Sequence, residues 1–207
     1  MRRVRRTLLA SWIGLALTGT AIAGPFEDGL AAEKRGDFVA AAQAFRIAAD
    51  QGNAGAQYNL ALLYDYGKGV ANDDTQAGAW YRRAASQGHA DAQFNLAVMY
   101  DMGEGVAIND AEAVKWYRLA AAQGHSIAQN RTGRMYENGE GVVVDYVEAL
   151  RWFRRAAAQG NLNAQVNIGA MYDAGKGVAK DPIEAVKWYR LAAAQGSSRA
   201  KDKLVGR

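Results

Sequence analysis

Cysteine is absent from all 207 residues, which excludes a disulfide framework and a lipid anchor on an amino-terminal cysteine. Histidine is almost absent too. His89 and His125 are the only two, too few ligands for a metal site without cysteine beside them. Proline occurs only as Pro25 and Pro182, neither inside a long helical pattern, so nothing interrupts helices along the chain. Alternating strand patterns are missing, and much of the 50% hydrophobic content is alanine, which favours close-packed helices. Long apolar runs are missing as well, since Leu8–Leu17 is too short for a confident membrane span.

That short run belongs to a different pattern. MRRVRR, Leu8–Leu17 and the small residues Ala21-Ile22-Ala23 form the charged, apolar and cleavage regions of a secretory signal over 1–23. The expectation is export to the periplasm or beyond, with no integral membrane segment after cleavage. The charge balance then changes: Arg2, Arg3, Arg5 and Arg6 leave, and 21 basic residues face 21 acidic ones. The sequence pI of about 9.3 therefore reflects the signal, and the nucleic-acid reading that it invites is dropped.

What is present is a repeat. Gln57, Gln93, Gln129 and Gln165 follow a step of 36 residues, as do Tyr64, Tyr100, Tyr136 and Tyr172, and Trp80, Trp116, Trp152 and Trp188. EAVKWYRLAAAQG occurs unchanged at 112–124 and 184–196. Each unit predicts two helices. The first, about Ala56 to Tyr66, ends at Gly67 as a left-handed stop. The second opens on a capping box: Asp73, Asn109, Asp145 and Asp181 with Gln76, Glu112, Glu148 and Glu184 three residues on. Gly88, Gly124, Gly160 and Gly196 end it. On this helix the trios Ala77/Tyr81/Ala84, Ala113/Tyr117/Ala120, Ala149/Phe153/Ala156 and Ala185/Tyr189/Ala192 lie on one stripe, an aromatic between two small residues. Ala41, Phe45 and Ala48 repeat the trio, so a unit at 25–52 precedes the four at 53–196. Residues 197–207 start one more helix, which should cover the end of the stack.

The glycine loops YDYGKGV, YDMGEGV, YENGEGV and YDAGKGV test an enzyme reading. A phosphate loop follows a strand and carries Ser or Thr after its lysine. These follow helices, and glutamate replaces lysine in two of them. They read as turns with the valine tucked inward. Ser198-Arg199-Ala200-Lys201 is formally an S-x-x-K, but the companion motifs of a penicillin-recognising site are absent. Nothing else supports nucleophilic chemistry, so no enzyme and no cofactor are expected.

The pattern AxAQYNLxxxYxxGxGV followed by EAxxWYRxAAxQG resembles the Sel1-like repeat, a relative of the tetratricopeptide repeat; the unit at 25–52 is closer to a plain tetratricopeptide unit. The resemblance implies an all-α fold, a right-handed α-solenoid of helix–turn–helix repeats. It also implies an adaptor that holds a protein or peptide in a concave groove lined by the first helices. Exported members of such families are implied to act in envelope signalling, exopolysaccharide control or host contact. β-Lactam binding has been linked to some of them, which leaves an envelope enzyme as the alternative. On that analogy the groove residues are Tyr58, Leu62 and Tyr66, then Phe94, Val98 and Met102, then Asn130, Arg134 and Asn138. These are positions where the copies disagree, beside an acidic row of Asp65, Asp101, Glu137 and Asp173. The third copy departs most, with Arg131, Thr132 and Arg134 where the others carry Asn, Leu or Ile, and a small or apolar residue. Arg82, Arg118, Arg154 and Arg190 are expected on a solvated outer face.

Overall fold

A computed structural model describes residues 24–205; the signal segment 1–23 lies outside them. The described chain is all helical, packed as sequential hairpins. The hairpins are α1 (Pro25–Lys34) with α2 (Phe38–Asp50), α3 (Ala54–Tyr66) with α4 (Asp74–Ser86), and α5 (Ala90–Met102) with α6 (Asp110–Ala122). They continue with α7 (Ser126–Asn138) and α8 (Tyr146–Ala158), then α9 (Leu162–Ala174) and α10 (Pro182–Ala194). The single helix α11 (Ser198–Leu204) closes the series. It lies against α10, burying Ala200 and half-burying Leu204 over the last core cluster. No helix of the described residues is long and apolar enough to cross a membrane.

Local chemistry sets each helix end. Asp73, Asn109, Asp145 and Asp181 accept the backbone N–H three residues on, as capping residues do. Asn53, His89, His125, Asn161 and Ser197 cap α3, α5, α7, α9 and α11 in the same way. Both histidines use Nδ1 as the acceptor, at 3.3 and 3.1 Å. Helices α3, α5, α7 and α9 end on left-handed glycines at 67, 103, 139 and 175. The carbonyls of Tyr64, Tyr100, Tyr136 and Tyr172 then accept the N–H of the next N-cap, closing each loop.

The alanine–aromatic–alanine stripes are buried throughout, with Phe45, Tyr81, Tyr117, Phe153 and Tyr189 at the centre of the stack. Small neighbours let the backbones close around these rings. Gly133 and Gly169 go further, since a Cβ there would meet the rings of Phe153 and Tyr189 within 2.6 Å. Trp80 and Trp152 are buried and Trp116 and Trp188 half-buried. The difference follows the residue three positions on: Arg83 and Arg155 cover Trp80 and Trp152 at 4.3 and 4.5 Å from the ring centroids, whereas Leu119 and Leu191 stand there in the other two copies.

The third copy carries a local defect. Thr132 takes the place of Leu60, Leu96 and Ile168, is fully buried, and its hydroxyl has no hydrogen-bond partner among the described residues. A buried, unpartnered hydroxyl costs about 1–3 kcal/mol. Thr132→Val keeps the shape and removes the hydroxyl, so thermal melting should shift upward by a few degrees, at roughly 2–4 °C per kcal/mol for a chain of this size. An unchanged or lower midpoint would show that the hydroxyl is satisfied in solution.

Candidate interaction surface

The repeated polar residues turn out to join units. Gln57, Gln93 and Gln129 are buried and each donates to the carbonyl of Ala49, Ala85 or Ala121 at the end of the preceding unit. Their own amide oxygens accept from Gln87, Gln123 and Gln159, and Gln165 accepts from Gln195. Gln57, Gln93 and Gln129 therefore each tie the end of one unit to the two helices of the next. Its recurrence within an apolar stripe was the available signal in the sequence.

The acidic row has an equally local partner. Tyr81, Tyr117 and Tyr189 donate their hydroxyls to Asp65, Asp101 and Asp173 at 2.9, 3.1 and 2.8 Å. Burial, then the facing carboxylate, pushes the Tyr81 and Tyr117 hydroxyls well above the ordinary tyrosine range, so both remain donors. Phe153 has no hydroxyl, and the corresponding Glu137 pairs instead with Lys176 at 3.5 Å. The outer arginines are exposed, but not merely solvated. Arg46, Arg82 and Arg154 each donate to the hydroxyl of a tyrosine in the next unit: Tyr64, Tyr100 and Tyr172.

The glycine loops are joints between units. The second glycine of each, at 69, 105, 141 and 177, has positive φ and lies against the first residue of the preceding unit's second helix: Phe38, Asp74, Asp110 and Tyr146. This contact also accounts for the two lysines of the loops. Lys68 and Lys176 lie over the rings of Phe38 and Tyr146 at 5.2 and 5.1 Å. The two glutamates occur where the contacted residue is aspartate.

The predicted groove residues divide by environment. Tyr58 is half-buried, stacked on His89 at 4.5 Å and tilted against Tyr81. Burial first, then Asp91, raises its hydroxyl pKa above the ordinary value. Phe94 stacks likewise on His125 at 4.6 Å, and His125 Nε2 lies 3.5 Å from Asp91. Asn130 is buried and accepts from Asn167 at 3.0 Å. These three residues pack between units. Leu62 and Val98 are half-buried, and Arg134 and Asn138 are exposed. Tyr66 and Met102 are 67% and 52% exposed, with the Lys68 ammonium 5.8 Å from the Tyr66 ring centroid. A double change of Tyr58 and Phe94 would therefore disturb the joints together with any surface, whereas Tyr66 and Met102 can be changed without touching them.

Two cavities lie along this wall. One, of about 410 Å³, sits among Tyr66, Phe94, Val98 and Met99 with Asp65 and Glu104 at its edge. The other, of about 530 Å³, is walled by α7, α9 and α11 and is polar, with Asn130, Arg131, Arg134, Asn167 and Arg199 among its lining. Ser198 and Lys201 are exposed on α11.

Hairpins of fixed length, stacked through repeated joints, define an α-helical repeat scaffold. The Sel1 repeat family model matches residues 54–89, 90–125, 126–161 and 162–197. The chain belongs to the Sel1 repeat family, a scaffold typical of protein-interaction adaptors. It is 41% identical to a Sel1 repeat protein from Oxalobacter formigenes, with a TM-score of 0.81 over 85% of this chain and 72% of that one. It is also 41% identical to c5321, a protective antigen of uropathogenic Escherichia coli with an SLR fold, with a TM-score of 0.83. That match covers 87% of this chain and 39% of c5321. Helicobacter pylori cysteine rich protein B shares the fold at 23% identity, with a TM-score of 0.51 over 64% of this chain and 96% of that one. No curated protein matches the chain.

Proposed function

We propose that this protein is an exported, non-catalytic adaptor of the cell envelope that binds a protein or peptide along the wall formed by its odd-numbered helices. One observation carries the reading. The repeated glutamines, the three Tyr–Asp pairs and the loop glycines are committed to joints within and between units, while Tyr66, Met102, Arg134 and Asn138 vary between copies and remain exposed. Exposed aromatic and methionine side chains beside acidic groups have the composition of a protein-anchoring patch.

A photo-crosslinking amino acid at Tyr66 should give a discrete adduct in living cells, and the same group at Arg118 on the opposite wall should give none. Tyr66→Ala with Met102→Ala should weaken binding of the crosslinked partner roughly tenfold or more, the scale of an interface anchor. Thermal melting should stay in place because both side chains are exposed. Equal adducts at Tyr66 and Arg118 would remove this wall as the site. Fractionation of the producing cells tests the destination, with the periplasm expected.

A further inference from the structure

We infer that the polar cavity between α7, α9 and α11 receives a carboxylate of an extended acidic peptide, held by Arg131, Arg134 and Arg199 beside the amides of Asn130 and Asn167. The inference rests on the adaptor reading and names the ligand chemistry of one part of that wall.

Charge is the first argument. The cavity carries three guanidinium groups and one carboxylate, Glu137, which is already engaged by Lys176 at 3.5 Å. Arg134 is exposed and has no hydrogen bond or ion pair among the described residues. Arg131 has only a loose approach to Asp101, at 4.0 Å. Planar guanidinium forks left free in a concavity match the two oxygens of a carboxylate.

Pre-organisation is the second. Arg199 donates to Asn167 Oδ1 at 3.1 Å, and Asn167 donates to Asn130 Oδ1 at 3.0 Å. Asn130 and Asn167 are both more than nine-tenths buried, so this chain of bonds fixes the cavity floor across three helices. The amide nitrogen of Asn130 has no acceptor among the described residues. It is available to a peptide carbonyl, and the neighbouring guanidinium groups to an acidic side chain or a chain terminus.

The same features favour a peptide over an acidic polysaccharide. Sugar rings are commonly held on aromatic faces, and no aromatic side chain lines this cavity. The aromatic and acidic groups of the wall lie instead in the amino-terminal cavity. An extended ligand crossing both would place its acidic end at Arg134 and its apolar or basic part near Tyr66. The third copy supplies the specificity, since Arg131 and Arg134 occupy positions that carry Asn and a small or apolar residue in the other copies.

The test is fluorescence anisotropy on the described chain with a labelled oligoglutamate peptide. Wild-type protein should bind it and should ignore oligoglutamine. Arg134→Gln and Arg199→Gln should each weaken binding roughly tenfold, as loss of a charge-assisted hydrogen bond does. Arg118→Gln, on the opposite wall, should leave binding unchanged. Equal losses at Arg118 and Arg134 would reduce the effect to diffuse charge and overturn the inference. So would unlabelled oligogalacturonate displacing the probe better than oligoglutamate. An adduct at Tyr66 without any oligoglutamate binding would defeat the carboxylate site and leave the adaptor reading standing. Oligoglutamate binding without an adduct at Tyr66 would do the reverse.

Discussion

Gly105→Ala should destabilise the stack by about 2–5 kcal/mol, combining roughly 1–2 for a left-handed alanine with the 1–3 of an overpacked contact. Gly105 has φ 65°, and a Cβ there would overlap the backbone carbonyl of Asp74, the first residue of α4. Backbone at a helix start cannot swing aside as a side-chain tip can. The loop must withdraw instead, taking Val106 away from the core cluster that it half-fills. Gly124 is the internal control. Its φ is 94°, but nothing lies within 4 Å of the position a Cβ would take, so Gly124→Ala should cost only the conformational part, about 1–2 kcal/mol. Denaturant unfolding followed by far-ultraviolet circular dichroism measures both. Stability in such arrays is a sum of units and nearest-neighbour interfaces. The Gly105 variant should therefore also separate the transition into two steps, with the break between the second and third hairpins. Equal losses at Gly105 and Gly124 would mean that the close approach carries no energy.

That joint shows which parts of the structure were legible in the sequence. Helix ends were legible because their causes are local: Asp145 caps a donor three residues away and Gly139 supplies a left-handed stop to its own helix. The aromatic–alanine stripes were legible because helical periodicity places them on one face. The inter-unit contacts were not, although one side of many of them, such as Gln93 and the loop glycines, recurs visibly. A step of 36 says that Gln93 recurs, but only the packing of three helices shows that it meets Ala85 and Gln123. The loop lysine Lys68 served in the sequence only to test a phosphate loop, and its contact with Phe38, thirty positions earlier, comes from the packing of one unit on the next.

The candidate surface was legible in the same partial way. Variation between copies pointed to positions on the odd helices, yet it could not separate exposed Tyr66 from half-buried Tyr58. Both are tyrosines on one helix, eight residues apart. Only Tyr58 faces His89, a helix cap contributed by the next unit. Recurrence reports that a residue is constrained, and variation that it is less so, but half-buried contacts between units lie between these extremes. The third copy illustrates the same limit from the other side. Its unusual Arg131, Thr132 and Arg134 stand together in the sequence, whereas the fold divides them: the two arginines line the polar cavity and Thr132 turns into the core with an orphan hydroxyl.

The glutamine ladder supports the other large expectation. Gln93→Leu should destabilise the protein by about 1–3 kcal/mol, because the Ala85 carbonyl is left at the joint with only the backbone N–H of Gly88, while the exposed Gln123 amide can turn to water. The Ala85 carbonyl loses its side-chain donor, and the Gln123 amide loses its acceptor. Leucine is close to glutamine in volume, so the loss reports hydrogen bonding more than cavity formation. The partner change separates the two contributions. Gln123 is exposed, and Gln123→Ala should cost less than about 1.5 kcal/mol, since water can replace one side of that bond. In the double variant the losses should be sub-additive, because Gln93→Leu has already broken the shared bond. Full additivity would mean that the two amides do not interact and that the ladder is only a coincidence of spacing. Gln129→Leu should give a loss of the same size, because it repeats the two bonds at 3.1 and 2.8 Å one unit further on. A joint used at successive interfaces should weaken the stack by similar amounts wherever it is cut, and the difference between the Gln93 and Gln129 variants measures how far the third copy's altered first helix changes that rule.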